Sequence, residues 1–278
     1  MSERSYGVLD RPEVLSILFY PRRDVGAGVS AVGVHPVLIE VASGVAVGGR
    51  IYAAGNNDPM ILYFHGNGEI ASDYDSIAPL YNRLGVTLFV VDYRGYGSSD
   101  GAPTATALIA DARVCHRLAR ETAKSAAGLE PGKVFVMGRS LGSAAALEIA
   151  QVAGTSGDID GIIIESGFAY TFPLIERIGY LQIADAYEHK DGFGNLEKMA
   201  EIRVPTLIIH GERDWIIPVG DAEALFEACP ASDKRFVRVA GAGHNDLMLV
   251  GRRPYFEAIS LFCGGGPLAM AATEGGAV

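Results

Sequence analysis

The sequence lacks any run of about 18 consecutive apolar residues, the length a helix needs to cross a bilayer. Its first residues, MSERSYGVLDRPEVLSILFYPRRD, place charges on both sides of the short apolar stretch Val14 to Tyr20, so neither a signal peptide nor a membrane span is expected. Positive charge is scarce: 23 Lys and Arg face 33 Asp and Glu, a net charge of −10. That excess repels a phosphate backbone and is not drawn to an anionic surface, which argues against nucleic acid as a partner and against integral membrane association. Cysteine is also sparse. Cys115, Cys229 and Cys263 are widely spaced, without the Cys-x-x-Cys pairs that hold zinc, and read as free thiols of a cytoplasmic protein. Cys115 falls in the apolar helical pattern of Ala112, Leu118 and Ala119, the setting of a small core residue rather than a nucleophile. Neither GxxxxGK[ST] nor GxGxxG follows an apolar run, so no nucleotide cofactor is implied, and no metal either.

What the sequence has is an alternation. Two segments, 37–41 and 45–52, joined at Ser43-Gly44, read as an antiparallel hairpin at a sheet edge. After them come short apolar runs at 60–64, 87–91, 134–137, 161–164 and 206–209, and a weaker one at 235–239. Strands apolar on both faces belong to a sheet covered on both sides, and helical patterns separate them at 72–84, 104–123, 141–152, 221–228 and 254–262. The expected fold is α/β, a mostly parallel central sheet with helices on both faces. The organisation expected is an N-terminal extension 1–36, a domain 37–263 carrying a small cap-like insertion at 168–202 after the sixth strand, and a flexible tail 264–278 rich in glycine and small residues.

The motif GRSLG, Gly138 to Gly142, matches G-x-S-x-G and lies between a strand and a helix of small residues. A serine there occupies a strained turn with its hydroxyl exposed, and the flanking glycines remove side chains that would strike neighbouring backbone. A serine hydroxyl needs a base, and the base a carboxylate to fix its tautomer. His244, in GAGHNDL past the last strand, and Asp214, in HGERDWIIP past the preceding one, complete the order Ser, Asp, His expected for this arrangement. Glu165, ending the strand before the insertion, is an alternative acid, and Asp246 reads as the cap of the final helix. His65 and His210 precede glycines at strand ends and read as buried turn residues, while His35, His116 and His189 have no partner motif. The glycine-rich turn HGNGE, 65–69, is placed to offer backbone N–H groups to an oxyanion. Asn67 and Leu141 are the expected donors, with Gly66 and Gly68 allowing close approach to substrate.

Together HGN (65–67), DYRGYGSSDG (92–101), GRSLG (138–142), GERDWIIP (211–218) and GHND around His244 to Asp246 resemble the serine hydrolases of the α/β-hydrolase fold, in the branch of Bem46-like proteins, serine aminopeptidases and protein depalmitoylases. The resemblance spans roughly residues 37 to 263. It implies triad roles for Ser140, Asp214 and His244, oxyanion roles for Asn67 and Leu141, and no cofactor. The expected substrate is a small carboxylic ester, with thioesters and amides as alternatives and a catalytically silent binding protein as a further one. Phe168, Tyr170 and Phe172 in the insertion are the expected wall of the acyl pocket.

Overall fold

The computed structural model describes residues 4–25, 33–154 and 156–264. The hairpin forms as β1 (Val34–Ala42) and β2 (Val45–Tyr52), with Gly44 at a φ of 70° in the turn. The apolar runs become β3 (Met60–Phe64), β4 (Thr87–Val91), β5 (Val134–Arg139), β6 (Gly161–Glu165), β7 (Thr206–Gly211) and β8 (Lys234–Val239). They join in one eight-stranded sheet of order β1-β2-β4-β3-β5-β6-β7-β8, in which β2 alone runs against its neighbours. Every residue of β3 to β7 is buried, as two-sided covering requires, whereas the edge strand β8 buries only Val239.

Among the described residues, ten α-helical segments accompany the sheet: α1 (Pro12–Leu18), α2 (Ala78–Asn82), α3 (Ala105–Ala127), α4 (Gly142–Ala153), α5 (Thr171–Gly179), α6 (Glu188–Asp191), α7 (Asn195–Met199), α8 (Val219–Ala228), α9 (Leu247–Val250) and α10 (Arg252–Cys263). The period-2 alternation of β3 divides the core. Met60, Leu62 and Phe64 face the side covered by α3, α4 and α8, and Ile61 and Tyr63 face α2 and α10. Helix α3 is capped as its sequence suggests: Thr104 Oγ1 accepts the Ala107 N–H at 2.9 Å, and Gly128 ends it in the left-handed region. The single helix expected over 72–84 is instead a 3₁₀ turn, Ala71–Ser76, followed by α2, because Pro79 has no N–H to give and fits only at the start of a helix.

The first residues are more than an appendage. Leu9, Val14 and Leu18 are buried in the main core, and Pro12 opens α1 at the position where a missing N–H costs nothing. The insertion folds as α5, α6 and α7 and sends Phe168, Phe193 and Met199 into the same core. The expected flexible tail, apart from Gly264, lies outside the described residues. All three cysteines are buried and free. Burial raises the Cys115 thiol well above its usual range and pushes Cys263 up to about 12, so both are held protonated. No helix among the described residues is long and apolar enough to cross a membrane.

Candidate active site

Strand β5 ends at Arg139 and α4 begins at Gly142, leaving two residues to reverse the chain. Ser140 takes the strain, with a φ of 51°. Its N–H donates to the Glu165 carbonyl at 2.9 Å, and its own carbonyl accepts the Ser143 hydroxyl at 2.6 Å. A Cβ on Gly138 would strike the Gly142 carbonyl, and one on Gly142 would strike the Phe64 carbonyl at the end of β3. The two glycines therefore allow α4 to rise directly off the sheet, leaving the serine half-exposed at the strand ends.

His244 arrives on the loop after β8. Its Nε2 lies 3.0 Å from Ser140 Oγ and its Nδ1 lies 2.7 Å from Asp214 Oδ2. Asp214 sits in the turn after β7, where Oδ1 accepts the Ile216 and Ile217 N–H groups at 2.9 and 2.8 Å. Burial alone would raise this carboxyl. Hydrogen bonds from His210 and His244 and from the Ile217 N–H outweigh that effect and hold it well below the usual carboxylate range. An ionised Asp214 accepts a hydrogen bond from His244 Nδ1–H, which leaves the Nε2 lone pair for the serine hydroxyl.

The other candidates fall elsewhere. Glu165 does not bond to His244. It is buried at the end of β6, with Oε2 accepting the Tyr255 hydroxyl at 2.7 Å and Oε1 accepting Arg139 Nε–H at 3.1 Å, and burial raises its pKa more than Arg139 and Tyr255 lower it. Asp246 does not cap the final helix through its side chain. It accepts the Gly243 N–H at 2.6 Å and so braces the loop that carries His244. His65 and His210 are buried at strand ends, His65 with Nε2 3.2 Å from Asp92 and His210 donating from Nε2 to the Ile217 carbonyl at 2.8 Å.

The turn after β3 is held from several sides. Asn67 Oδ1 accepts the Tyr20 N–H at 2.6 Å and the Tyr96 hydroxyl at 2.8 Å, so the side chain is committed to structure. Its backbone N–H and that of Leu141 have no acceptor among the described residues. Gly68 has a φ of 76° and lines the cleft. Gly66 does not, and its expected role at the substrate is corrected by its neighbours: a Cβ there would run into the Arg139 guanidinium, and its N–H is taken by Glu69 Oε2 at 2.8 Å.

Arg139 and Glu69 are neighbours of the candidate site that motif reading misses. The Arg139 guanidinium, buried and always charged, pairs with Glu69 and Glu165 and donates to the His244 carbonyl at 2.9 Å and to Asn245 Oδ1 at 3.0 Å. One side chain thus ties together the ends of β3, β5, β6 and β8. Burial would raise Glu69, but Arg139, His65 and the Gly66 N–H more than offset it, and the carboxyl is lowered. The one available signal was the register: Arg139 and Glu165 are paired neighbours across β5 and β6.

A cleft of about 560 Å³ opens over Ser140 and His244, with Ile17, Leu18, Leu141, Leu174, Ile178 and Ile216 on its apolar side. The expected wall of Phe168, Tyr170 and Phe172 is not there. Phe168 is fully buried with its ring against Phe193, Phe172 packs against the core, and Tyr170 faces outward. The reason is helical phase: α5 begins at Thr171, so Leu174 and Ile178, four residues apart, share the face turned to the cleft.

A model of the family described as serine aminopeptidase, S33, matches residues 55–181 and 179–248. The uncharacterised protein Rv2307c of Mycobacterium tuberculosis is 29% identical over 252 residues, covering 88% of this chain and 85% of that one. Human alpha/beta hydrolase domain-containing protein 17B is 31% identical over 206 residues, covering 73% of this chain and 65% of that protein. The esterase Pf2001 of Pyrococcus furiosus superposes with a TM-score of 0.70 at 18% identity, over 88% of this chain and 98% of that one, a likeness of fold. With its eight-stranded sheet, its strand-end site and a family match over most of its length, this chain belongs to the serine aminopeptidase S33 family of α/β hydrolases.

Proposed function

We propose that the protein is a serine hydrolase that cleaves a carboxylic ester through an acyl-enzyme. The observation that carries this reading is the alignment of Ser140 Oγ, His244 and Asp214 at 3.0 and 2.7 Å, with the serine held in a left-handed turn at the floor of an open cleft. Ser166 shares the left-handed backbone but is buried, whereas Ser140 combines it with a partly exposed hydroxyl in reach of a histidine that is itself held by a carboxylate. In the first half-reaction Ser140 attacks the ester carbonyl as His244 takes its proton. The Asn67 and Leu141 N–H groups receive the oxyanion, and protonated His244 passes its proton to the leaving alcohol. Water then enters by the same route and releases the acid. Asp214 supports the imidazolium in both halves and stays ionised. Arg139 touches none of the reacting atoms and acts by holding the His244 loop.

An ester fits this site because the wall beside the serine is apolar and the cleft is open, which suits an uncharged acyl group and an alcohol that leaves to solvent. The test is a fluorophosphonate probe together with a panel of p-nitrophenyl esters, acyl thioesters and aminoacyl amides. The expected result is a label on Ser140, hydrolysis of the esters, and a loss on the order of a millionfold in kcat for Ser140→Ala with the fold unchanged. Thioester or amide turnover above ester turnover would overturn the substrate class. An unlabelled, inactive wild-type protein would overturn the enzyme.

A further inference from the structure

The family match begins at residue 55, so membership says nothing about the first residues, yet these reach the cleft. The segment from Arg11 to Arg22 crosses from one wall of the site to the other. At one end the Arg11 guanidinium makes a bidentate pair with Asp185 of the insertion, at 2.9 and 2.8 Å. Along its length α1 packs on α5 so closely that a Cβ on Gly179 would collide with the Ile17 side chain. At the other end the Tyr20 N–H donates to Asn67 Oδ1 at 2.6 Å, Arg22 Nε–H donates to the Gly68 carbonyl at 2.6 Å, and Arg22 pairs with Asp73. Between these anchors Ile17 and Leu18 face the cleft opposite Leu174, Ile178 and Ile216.

We propose that this N-terminal strap is the acyl-specificity element of the site, with Ile17 as the residue that sets chain-length preference and Tyr20 and Arg22 as its tether to the oxyanion turn. The inference rests on the hydrolase reading above and adds the substrate class: straight-chain acyl groups of medium length. Leu18 is buried and serves the core as well, while Ile17 is only partly covered and presents its free surface to the cleft. Position 17, at the margin of the core, can therefore change at less cost to packing than position 18. An acyl chain lying along this wall loses roughly fourfold in kcat/KM for each methylene deprived of apolar contact, from about 0.8 kcal/mol per buried methylene.

The experiment compares p-nitrophenyl octanoate with p-nitrophenyl acetate for wild type, Ile17→Ala, Ile17→Phe and Arg22→Met, each checked for an unchanged thermal transition. Ile17→Ala strips contact from the octanoyl chain and Ile17→Phe crowds it, so both are expected to lower the octanoate-to-acetate ratio of kcat/KM, by about 15-fold for two methylenes. Arg22→Met is expected to lower kcat for both esters alike and leave the ratio in place, a split that simple loss of stability does not produce. If both Ile17 variants keep the ratio within about twofold of wild type while Ser140 still takes the fluorophosphonate label, the strap is not the wall and the proposal fails alone. If wild type neither turns over nor labels, the hydrolase reading fails, and the strap is judged by binding. Octanoate titrated into the protein and followed by isothermal titration calorimetry gives that binding directly. Weaker octanoate binding in Ile17→Ala would keep the wall, and unchanged binding would overturn it.

Discussion

Replacing Arg139 with methionine tests whether one buried cation holds the site together. The substitution keeps a long side chain but removes a guanidinium that serves Glu69, Glu165, the His244 carbonyl and Asn245 at once. Glu165 is the more vulnerable partner. Its side chain is 1% exposed, and with Arg139 gone its carboxylate keeps only the Tyr255 hydroxyl at 2.7 Å and the longer Tyr63 contact at 3.4 Å. Breaking a buried pair from one side costs about 3–5 kcal/mol because a charge is left without compensation. For a domain of this size that corresponds to a fall in Tm on the order of 10 °C.

The cost has a pH signature. Glu165 already has a folded-state pKa above its unfolded value, through burial, and loss of Arg139 removes the principal opposing charge. A group raised in this way favours the folded state while protonated and loses that contribution as pH rises through its folded value. The stability deficit of Arg139→Met should therefore be smallest near pH 4–5 and grow toward pH 8. Adding Glu165→Gln removes the orphaned charge and should recover part of the loss, which a double-mutant cycle in urea measures directly. Turnover should also fall, by up to about a hundredfold in kcat, because the His244 loop loses two anchors and a displacement of about 1 Å is enough for that. A Tm within about 2 °C of wild type, or a double variant no more stable than the single one, would refute the claim that the cluster is charged and mutually dependent.

Two further outcomes follow from the carboxylates. Asp214→Asn should cost on the order of ten-thousandfold in kcat by favouring the wrong histidine tautomer, while Glu165→Gln, which alters a carboxyl that bonds to none of Ser140, Asp214 and His244, should retain most of the activity; the reverse pattern in steady-state kinetics would exchange their roles. Because Asp214 is depressed in the folded state, its contribution to stability is present above the unfolded carboxylate value and is lost as pH falls through the folded one, so the stability gap between wild type and Asp214→Asn, read by urea unfolding, should be level from about pH 6 to 8 and close below about pH 4. A gap that widened with acid would contradict the assigned direction.

Much of the fold was legible because local and global signals agree in the central strands. β3 to β7 are apolar without alternation, and only a sheet covered on both faces accepts such residues. The elbow was legible for a similar reason, since Gly138 and Gly142 are required by backbone contacts within a few residues of the serine and by the adjacent end of β3. Asp214 and His244 could be placed without coordinates because each follows a strand whose end lies at the same edge of the sheet. The short helices α1, α5, α6, α7 and α9 could not be given bounds from the sequence. Each is nine residues or fewer, too short to show a clear 3.6-residue period, and depends on tertiary packing for its existence.

The substrate wall was misplaced for a different physical reason. Aromatic content in 168–202 predicts burial, and Phe168 and Phe193 are indeed buried, but composition carries no direction. Which face meets the cleft depends on where α5 starts, and a shift of one residue turns the helix by about 100°. Leu174 and Ile178 reach the cleft because Thr171 opens the helix, and they become a wall only when Ile17 stands opposite, more than 150 residues earlier in the chain. Ser140, Asp214 and His244 are tied to strand ends, whose order the topology dictates, whereas the residues proposed to sort substrates come from two short helices that meet only in the folded chain. Ile17 lies outside the matched region at 55–248 and Leu174 and Ile178 lie within it, so the proposed role of the strap predicts that substitution at Ile17 shifts acyl preference while the elbow, the histidine loop and the Arg139 cluster keep their geometry.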